Sequence, residues 1–326
     1  RQDARQDGRQ DGRQDGQQDG RQDGRQDRPD GELGKIVRRG VGVLRSECKC
    51  AIPKAVELYK EVVVSPLPSW EEVKEELPDN FDWRVMNNTI AVTAIRNHHV
   101  GPYYCGACYA MATTSTFSDR LKIMSGGSGG PDVIISPQMV VDCVSTNTSR
   151  GCFGGNANDV FDYLVKNGMV DDSCKPFLSY QQKCETNGAC TVCDPSPPYT
   201  CRPIKDARLF KRYYAKEHGL VNGEKNMMAE IYKRGPIECM MATPKVFDDY
   251  KGGIVCDKSN ASSISHDVEV LGWGIENGTK YWIARNSWGT MWGEEGYFRI
   301  CRGSNNMQIE SACAWVVPDL ERSDLY

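Results

Sequence analysis

The run Cys105-Gly106-Ala107-Cys108-Tyr109 constrains this chain more than any other stretch, because it sets two thiols at the threshold of a helix. After it, Ala110, Met111, Thr114, Phe117, Leu121 and Met124 recur at three- or four-residue spacing, and the Gly126-Gly127 pair stops the pattern. A helix is therefore expected to begin near Cys108. Free backbone N–H groups and the macrodipole at that end favour negative charge, which lowers a thiol pKa and populates the thiolate near neutral pH. The spacing alone leaves four uses open: a nucleophile, a zinc pair, a redox pair or a plain disulfide. A second Cys-x-x-Cys, Cys190-Thr191-Val192-Cys193, does not choose among them.

Histidine supply narrows the choice. The chain has 4 histidines, His98, His99, His218 and His266, so a cysteine nucleophile has few bases to draw on. His266 lies in Ser265-His266-Asp267-Val268-Glu269-Val270, an alternating strand pattern that runs into Gly272-Trp273-Gly274. A second apolar strand, from Tyr281 to Arg285, ends at Asn286-Ser287-Trp288-Gly289. A thiolate–imidazolium pair needs a third group to hold the ring in one tautomer. The Asn286 oxygen accepts an imidazole N–H without adding charge, and the Trp288 indole can shield that bond from water. Read alone, Asn-Ser-Trp-Gly is better explained as a polar strand end beside a core Trp. In the chain order Cys, His, Asn, the orienting role is favoured.

Further runs accompany these three residues in order. They are Leu77-Pro78-Asp79-Asn80-Phe81-Asp82-Trp83-Arg84, Arg96-Asn97 leading to Cys105, Cys152-Phe153-Gly154-Gly155-Asn156, Met227-Met228-Ala229-Glu230-Ile231-Tyr232, Gly235-Pro236-Ile237 and Trp292-Gly293-Glu294-Glu295-Gly296. From Leu77 to about Pro318 the chain thereby resembles the papain family of cysteine peptidases, and within it the cathepsin X-like branch. The resemblance implies an α+β, two-domain fold, with a helical left domain carrying Cys108 and a β-barrel-like right domain carrying His266 and Asn286. The cleft lies between them. It implies that Cys108, His266 and Asn286 are catalytic, and that Gly154, Gly155 and Trp288 bind substrate, the glycines allowing close backbone approach. It also implies a carboxypeptidase. Members of that branch carry a short insertion before the nucleophile, here His98-His99-Val100-Gly101-Pro102-Tyr103-Tyr104, and His99 falls where a histidine binds the substrate's C-terminal carboxylate.

Departures from the family pattern bear on activity. The family places a Gln, an oxyanion donor, where this chain has His98, and the inserted loop is one residue longer. A neutral His98 still donates one N–H beside the backbone N–H of Cys108; loss of a single donor costs about 10²–10³ in rate. A poorly aimed His98 thus predicts a weak enzyme, and the rival reading is a peptidase-like binding protein with weak or lost activity. Tyr109 replaces a Trp, and Asp267 follows His266 where a small or aliphatic residue is usual. Because neighbouring strand positions point to opposite faces, the effect of Asp267 on His266 is expected to be indirect.

Cysteine usage bears on compartment. The 15 cysteines, without haem or iron–sulfur spacing, favour an oxidising environment. Sequons at Asn87 to Thr89, Asn147, Asn260 and Asn277 agree with secretory passage, towards a lysosome, another acidic vacuole or the outside. The resemblance implies bridges Cys105–Cys152, Cys143–Cys184, Cys174–Cys190, Cys193–Cys201 and Cys239–Cys313, with Cys256–Cys301 a weaker inference. That scheme splits Cys190 from Cys193, so neither a metal nor a cofactor is expected. It leaves Cys48, Cys50 and Cys108. Residues 31–76 match the branch's short pro-segment, in which a cysteine caps the nucleophile, so Cys48 or Cys50 is expected to bridge Cys108. The alternative is a Cys48–Cys50 bridge or two free thiols.

Residues 1–30 repeat Arg-Gln-Asp-Gly, with Ala4 and Pro29 their only apolar residues, and are expected to be disordered. The organisation expected is a repeat (1–30), a pro-segment (31–76) and a peptidase domain (77–326). A net charge of -4 gives no reason to expect nucleic acid or membrane partners, and no apolar run is long enough to span a bilayer. The first residue is Arg, preceded by neither an initiator Met nor a signal peptide, so an upstream portion is expected. The partners expected are peptides with a free C-terminus and the chain's own pro-segment, acting on a monomer.

Overall fold

The computed structural model describes residues 50–54, 59, 61–86, 90–126, 132–186, 190–205 and 209–323. The repeat of residues 1–30, Cys48 and the sequon at Asn87 lie outside the described residues. In chain order the elements that position the site are α1 (Trp70–Val73), β1 (Phe81–Asp82), α2 (Cys108–Met124), α3 (Pro137–Cys143), α4 (Ala157–Asn167), β2 (Thr191–Cys193), β3 (Cys201–Pro203), β4 (Tyr214–Val221), α5 (Glu224–Arg234), β5 (Ile237–Ala242), α6 (Lys245–Asp248), β6 (Ile254–Val255), β7 (Ile264–Glu276), β8 (Thr279–Arg285), β9 (Tyr297–Cys301) and β10 (Cys313–Asp319).

Helix α2 begins at Cys108, and its residues are buried on every side as far as Leu121. Such burial requires that its polar groups find partners inside. The hydroxyls of Thr113, Thr114 and Ser118 each donate over 2.6 Å to the carbonyl four residues earlier. Arg120 donates to the carbonyls of Val316 and Gly235, both at 2.9 Å, and to Glu230 at 2.8 Å. Its helical flank packs with α3 and α4 into one core that includes Phe117, Val140 and Phe161. Local sequence starts both partners: Ser136 caps α3 ahead of Pro137, and Asn156 caps α4, which stops at Gly168 with φ +64°.

The other flank of α2 lies on β7 and β10. The sheet has eight strands in the order β4-β10-β5-β7-β8-β9-β6, with β1 added to β7, and Trp273, Trp282, Trp315 and Phe298 fill its own core. The fold is α+β with a helical half and a sheet half, but the sheet is open, where a barrel-like domain was expected. Both edges of the sheet stand against closure. Strand β6 is two residues long, and the outer edge of β4 is already taken by Val62, which exchanges backbone hydrogen bonds of 2.9 and 2.8 Å with His218. Gly272 lets β1 pair closely with β7, since a side chain there would run into the Phe81 carbonyl.

The N-terminal strap, of which residues 50–54, 59 and 61–76 are described, is tied to that edge by a carboxylate. Glu217 accepts the N–H groups of Val64 and Ser65 at 2.8 and 3.0 Å and the Ser65 hydroxyl. Burial alone raises the pKa of Glu217, yet these donors outweigh it and hold the group below the usual carboxylate range. The stabilisation is therefore complete above the ordinary carboxyl pKa and lost as pH falls through the lower, folded value. Glu217→Gln keeps one acceptor but removes the charge, so amide exchange at Val64 and Ser65 is expected to quicken roughly fivefold, about 1 kcal/mol, with exchange in α2 unchanged.

Candidate active site

The end of α2 meets the middle of β7, and this places a sulfur against an imidazole. Cys108 is the first residue of α2, so its thiol sits among the helix's free N–H groups. His266 comes from β7 and Asn286 follows β8 directly. All three are buried. His266 Nε2 donates to Asn286 Oδ1 over 2.8 Å, and the same oxygen accepts the Ser287 N–H at 2.7 Å. This leaves Nδ1 free to face sulfur, 3.6 Å from Cys50 Sγ, and the ring is within 4.8 Å of Cys108 Sγ. The Trp288 ring lies 5.0 Å and the Phe247 ring 6.2 Å from the imidazole, covering the His266–Asn286 bond. Burial lowers the His266 pKa to about 4 against the opposing pull of Asn286, so the ring is neutral in this state.

Cys108 is bridged to Cys50. The strap holding Cys50 runs extended between the two halves. Gly155 donates its N–H to the Cys50 carbonyl at 3.0 Å and receives the Ile52 N–H at 2.8 Å, while Ala51 donates to the Ser265 carbonyl at 3.3 Å. Lys54 pairs with Asp159 at 3.1 Å, and Asp159 also gathers the hydroxyls of Thr146, Thr148 and Ser149. Gly155 carries this pairing; the Gly154 groups are used within their own turn, with Arg150 and Gly151. Tyr109 supports Gly155 from below, its ring filling the space that a side chain at Gly155 would need and its hydroxyl bound to the Gly151 carbonyl at 3.1 Å. The remaining bridges are Cys105–Cys152, Cys143–Cys184, Cys174–Cys190, Cys193–Cys201, Cys239–Cys313 and Cys256–Cys301.

The loop before Cys105 docks on the strand end after β8. His98 is buried, donates its backbone N–H to the Ser287 carbonyl at 3.0 Å, and sets Nδ1 2.9 Å from the Ser287 hydroxyl. Burial, with His99 and His266 adding to it, drives the His98 pKa well below its ordinary value. His99 lies on the exposed side of the loop, stacked 5.8 Å from the Trp288 ring, and its N–H is held by Asn97 at 2.8 Å. Ser287, which anchors His98, was within the Asn-Ser-Trp-Gly run but gave no separate signal.

Below the site lie charges that sequence pattern did not single out. Arg285 bonds Asp119 of α2 at 2.7 Å and Glu269 of β7, and donates to the Thr93 carbonyl at 2.7 Å. Thr93 returns its own N–H to Asp119 at 2.8 Å. Asp267 contacts Cys108 Sγ at 3.2 Å, so its reach is to the sulfur rather than to His266, whose side chain leaves the opposite face of β7.

A helical core, an open sheet, and a helix-end cysteine facing a sheet-borne imidazole held by an Asn match the arrangement of a cysteine peptidase. The family model described as papain family cysteine protease matches residues 77–317. The chain is 36% identical over 253 residues to a cathepsin Z of Onchocerca volvulus, covering 75% of this chain and 79% of that protein. It is 32% identical over 272 residues to a cathepsin B-like cysteine proteinase 5 of Caenorhabditis elegans, covering 77% of each. Among solved structures, bromelain from Ananas comosus in complex with the E64 inhibitor superposes with a TM-score of 0.58 at 29% identity, over 74% of this chain and 99% of that one. The chain belongs to the papain family of cysteine proteases.

The Arg285 network makes a thermodynamic prediction. Arg285→Met strands Asp119 and Glu269 in the interior and is expected to cost about 3–5 kcal/mol near neutral pH. The loss should appear as a lower urea midpoint at unchanged slope, and should shrink in acid, since burial raises the Glu269 pKa and its protonated acid needs no cation.

Proposed function

We propose that this chain is the latent form of a cysteine carboxypeptidase, held inactive by its own N-terminal strap. The observation that carries the reading is the Cys50–Cys108 bridge, made by a strap that pairs with Gly155 as an extended peptide does. A reductant thiolate attacks Cys50 Sγ and releases Cys108 as the thiolate, taking Cys50 into a mixed disulfide that a second thiol resolves. Cys108 then attacks the carbonyl carbon of the last peptide bond. His266, protonated as the thiolate forms, gives its Nδ1 proton to the leaving amine, and next takes one from the water that hydrolyses the thioester. Asn286 keeps the ring turned for both steps. With the Ser287 hydroxyl donating to Nδ1 of the neutral His98 ring, Nε2–H remains to hold the oxyanion beside the Cys108 N–H.

His99 supplies the choice of chain end. Stacked on Trp288 at the rim of the cleft, it receives the C-terminal carboxylate of the substrate, and as imidazolium it binds far better than as imidazole. Burial lowers its pKa, so the charged form is present only below its ordinary range and free C-termini are preferred in acid. A secretory route ending in an acidic compartment fits this requirement.

Peptides with free and amidated C-termini, offered to the full chain before and after reduction, test the reading. Stepwise release of single residues from the free-acid peptide, only after reduction and not with Cys108→Ala, is expected. His99→Ala should raise KM for the free-acid peptide roughly 10–100-fold and leave the amidated one unaffected. In the parent chain, KM for the free acid should climb as pH rises through the His99 pKa. Equal rates on both peptides defeat the carboxypeptidase assignment.

A further inference from the structure

Two acids lie beneath the Cys108 sulfur without a cation to hold them. Asp267 is 0% and Glu238 1% exposed. Strands β5 and β7 pair with Met240 opposite Asp267, so Glu238, two residues along, falls on the same face of the sheet. The two carboxyl groups are hydrogen-bonded to each other, which requires a proton on one of them. Among the described residues neither makes an ion pair, and Asp267 Oδ1 and Glu238 Oε1 have no hydrogen-bond partner in protein. Asp267 Oδ2 lies 3.2 Å, and its backbone N–H 3.4 Å, from Cys108 Sγ. A disulfide sulfur has no proton to give, so a hydrogen bond across the 3.2 Å contact is donated by the acid form of Asp267.

We propose that Asp267 is a proton-operated gate on the nucleophile: as a carboxylic acid it donates its O–H to the Cys108 thiolate, and as a carboxylate it sets a negative charge against the sulfur and returns it to the thiol. The proton balance is simple. Raising the pH takes one proton from Asp267 to solvent, and the thiolate, destabilised by the new charge, takes back the proton that His266 held as imidazolium, so the site as a whole loses one proton. Glu238 is the positioning partner, donating its own O–H to Asp267. This inference rests on Cys108 being the nucleophile of the proposed site.

Beyond the Cys108–His266 pair itself, Asp267 and Glu238 are the acids nearest the sulfur. On β7 the neighbours are His266, pointing to the other face, and Glu269; on α2 they are Tyr109 and Asp119; from the strap comes Tyr59. Arg285 is committed to Glu269 and Asp119, whereas Arg96 bonds Thr114 and the Ile135 carbonyl through Nη1 at 2.9 and 3.0 Å and leaves Nε and Nη2 without a hydrogen-bond partner. The intervening cavity of 10 Å³ has room for about one water. Burial lifts the Asp267 pKa to about 7 against the Glu238 hydrogen bond, and lifts Glu238 well above the carboxylate range. The acid form of Asp267 therefore persists through mild acid and is lost around neutrality.

The test uses the full chain reduced with a phosphine and measures alkylation of Cys108 by iodoacetamide from about pH 4.5 to 9, read by peptide mapping. The parent rate is expected to fall about tenfold through neutrality, then recover as ordinary thiol ionisation sets in. Asp267→Asn keeps a neutral donor and should abolish the fall. Glu238→Leu should move it to higher pH, and Glu238→Gln, which still donates, should leave it in place. A pair that only supports the fold scales the rate equally at every pH. If the variants do not fold, the infrared carbonyl band of a buried carboxylic acid in the parent chain decides: it should vanish over the same pH interval as the fall. A flat parent profile, an unchanged fall in Asp267→Asn, or a missing band overturns the gate while Cys108 stays reactive. Cys108 no more reactive than Cys50 at any pH overturns the nucleophile reading instead.

Discussion

The buried seam between α2 and the sheet is what everything else hangs on. A helix that presents Thr, Ser, Asp and Arg to an interior is stable only if most of these groups find partners there; the hydroxyls of Thr113 and Ser118 use the helix's own carbonyls, and the two charges use residues of α5 and β8. Asp119 and Arg120, adjacent in sequence, pair with Arg285 of β8 and Glu230 of α5. Together they fix the rotation and the axial position of α2 against β7. Because Cys108 is the first residue of that helix, the same bonds fix where its sulfur lies relative to His266. Precision at the cleft is thus inherited from ionic contacts set a few turns below it.

Dryness is the second consequence. Sealing the seam lowers the local dielectric, which disfavours every charge that lacks a partner. Imidazoles in it are neutral and carboxyls protonated, as His98, His266 and Glu238 are, while a paired group such as Arg285 is held more firmly charged. A neutral ring with one N–H fixed by a named acceptor has a defined tautomer, which a solvated histidine lacks. The free nitrogen of His266 is aimed at sulfur for that reason.

What sequence could reveal follows the range of the interactions. The start of α2 was legible because periodicity and the Gly-Gly stop are local, and the motif order drew Cys108, His266 and Asn286 together because each ends or begins a regular element. Long-range register was not legible. Nothing near Glu238 announces that it lies diagonal to Asp267, 29 positions further along, because that register depends on the whole sheet. The same limit applies to the sheet's failure to close, which depends on Val62 reaching the edge of β4, and to the division of labour between Gly154 and Gly155, which depends on where the strap crosses.

The strap combines one covalent anchor with two ionic ones, and their pH responses differ. Burial raises the pKa of both Asp159 and Glu217, but their hydroxyl and N–H donors, with Lys54 on Asp159, prevail and hold both below the usual range. Groups shifted this way stay ionised in mild acid and release only when pH falls below the ordinary carboxyl pKa. Acidification of the degree that protonates a histidine therefore leaves both ionic anchors in place. The Cys50–Cys108 bond is indifferent to that acid and sensitive to thiolate. On the latent-form reading proposed above, exposure of the cleft is decided by reduction rather than by acid.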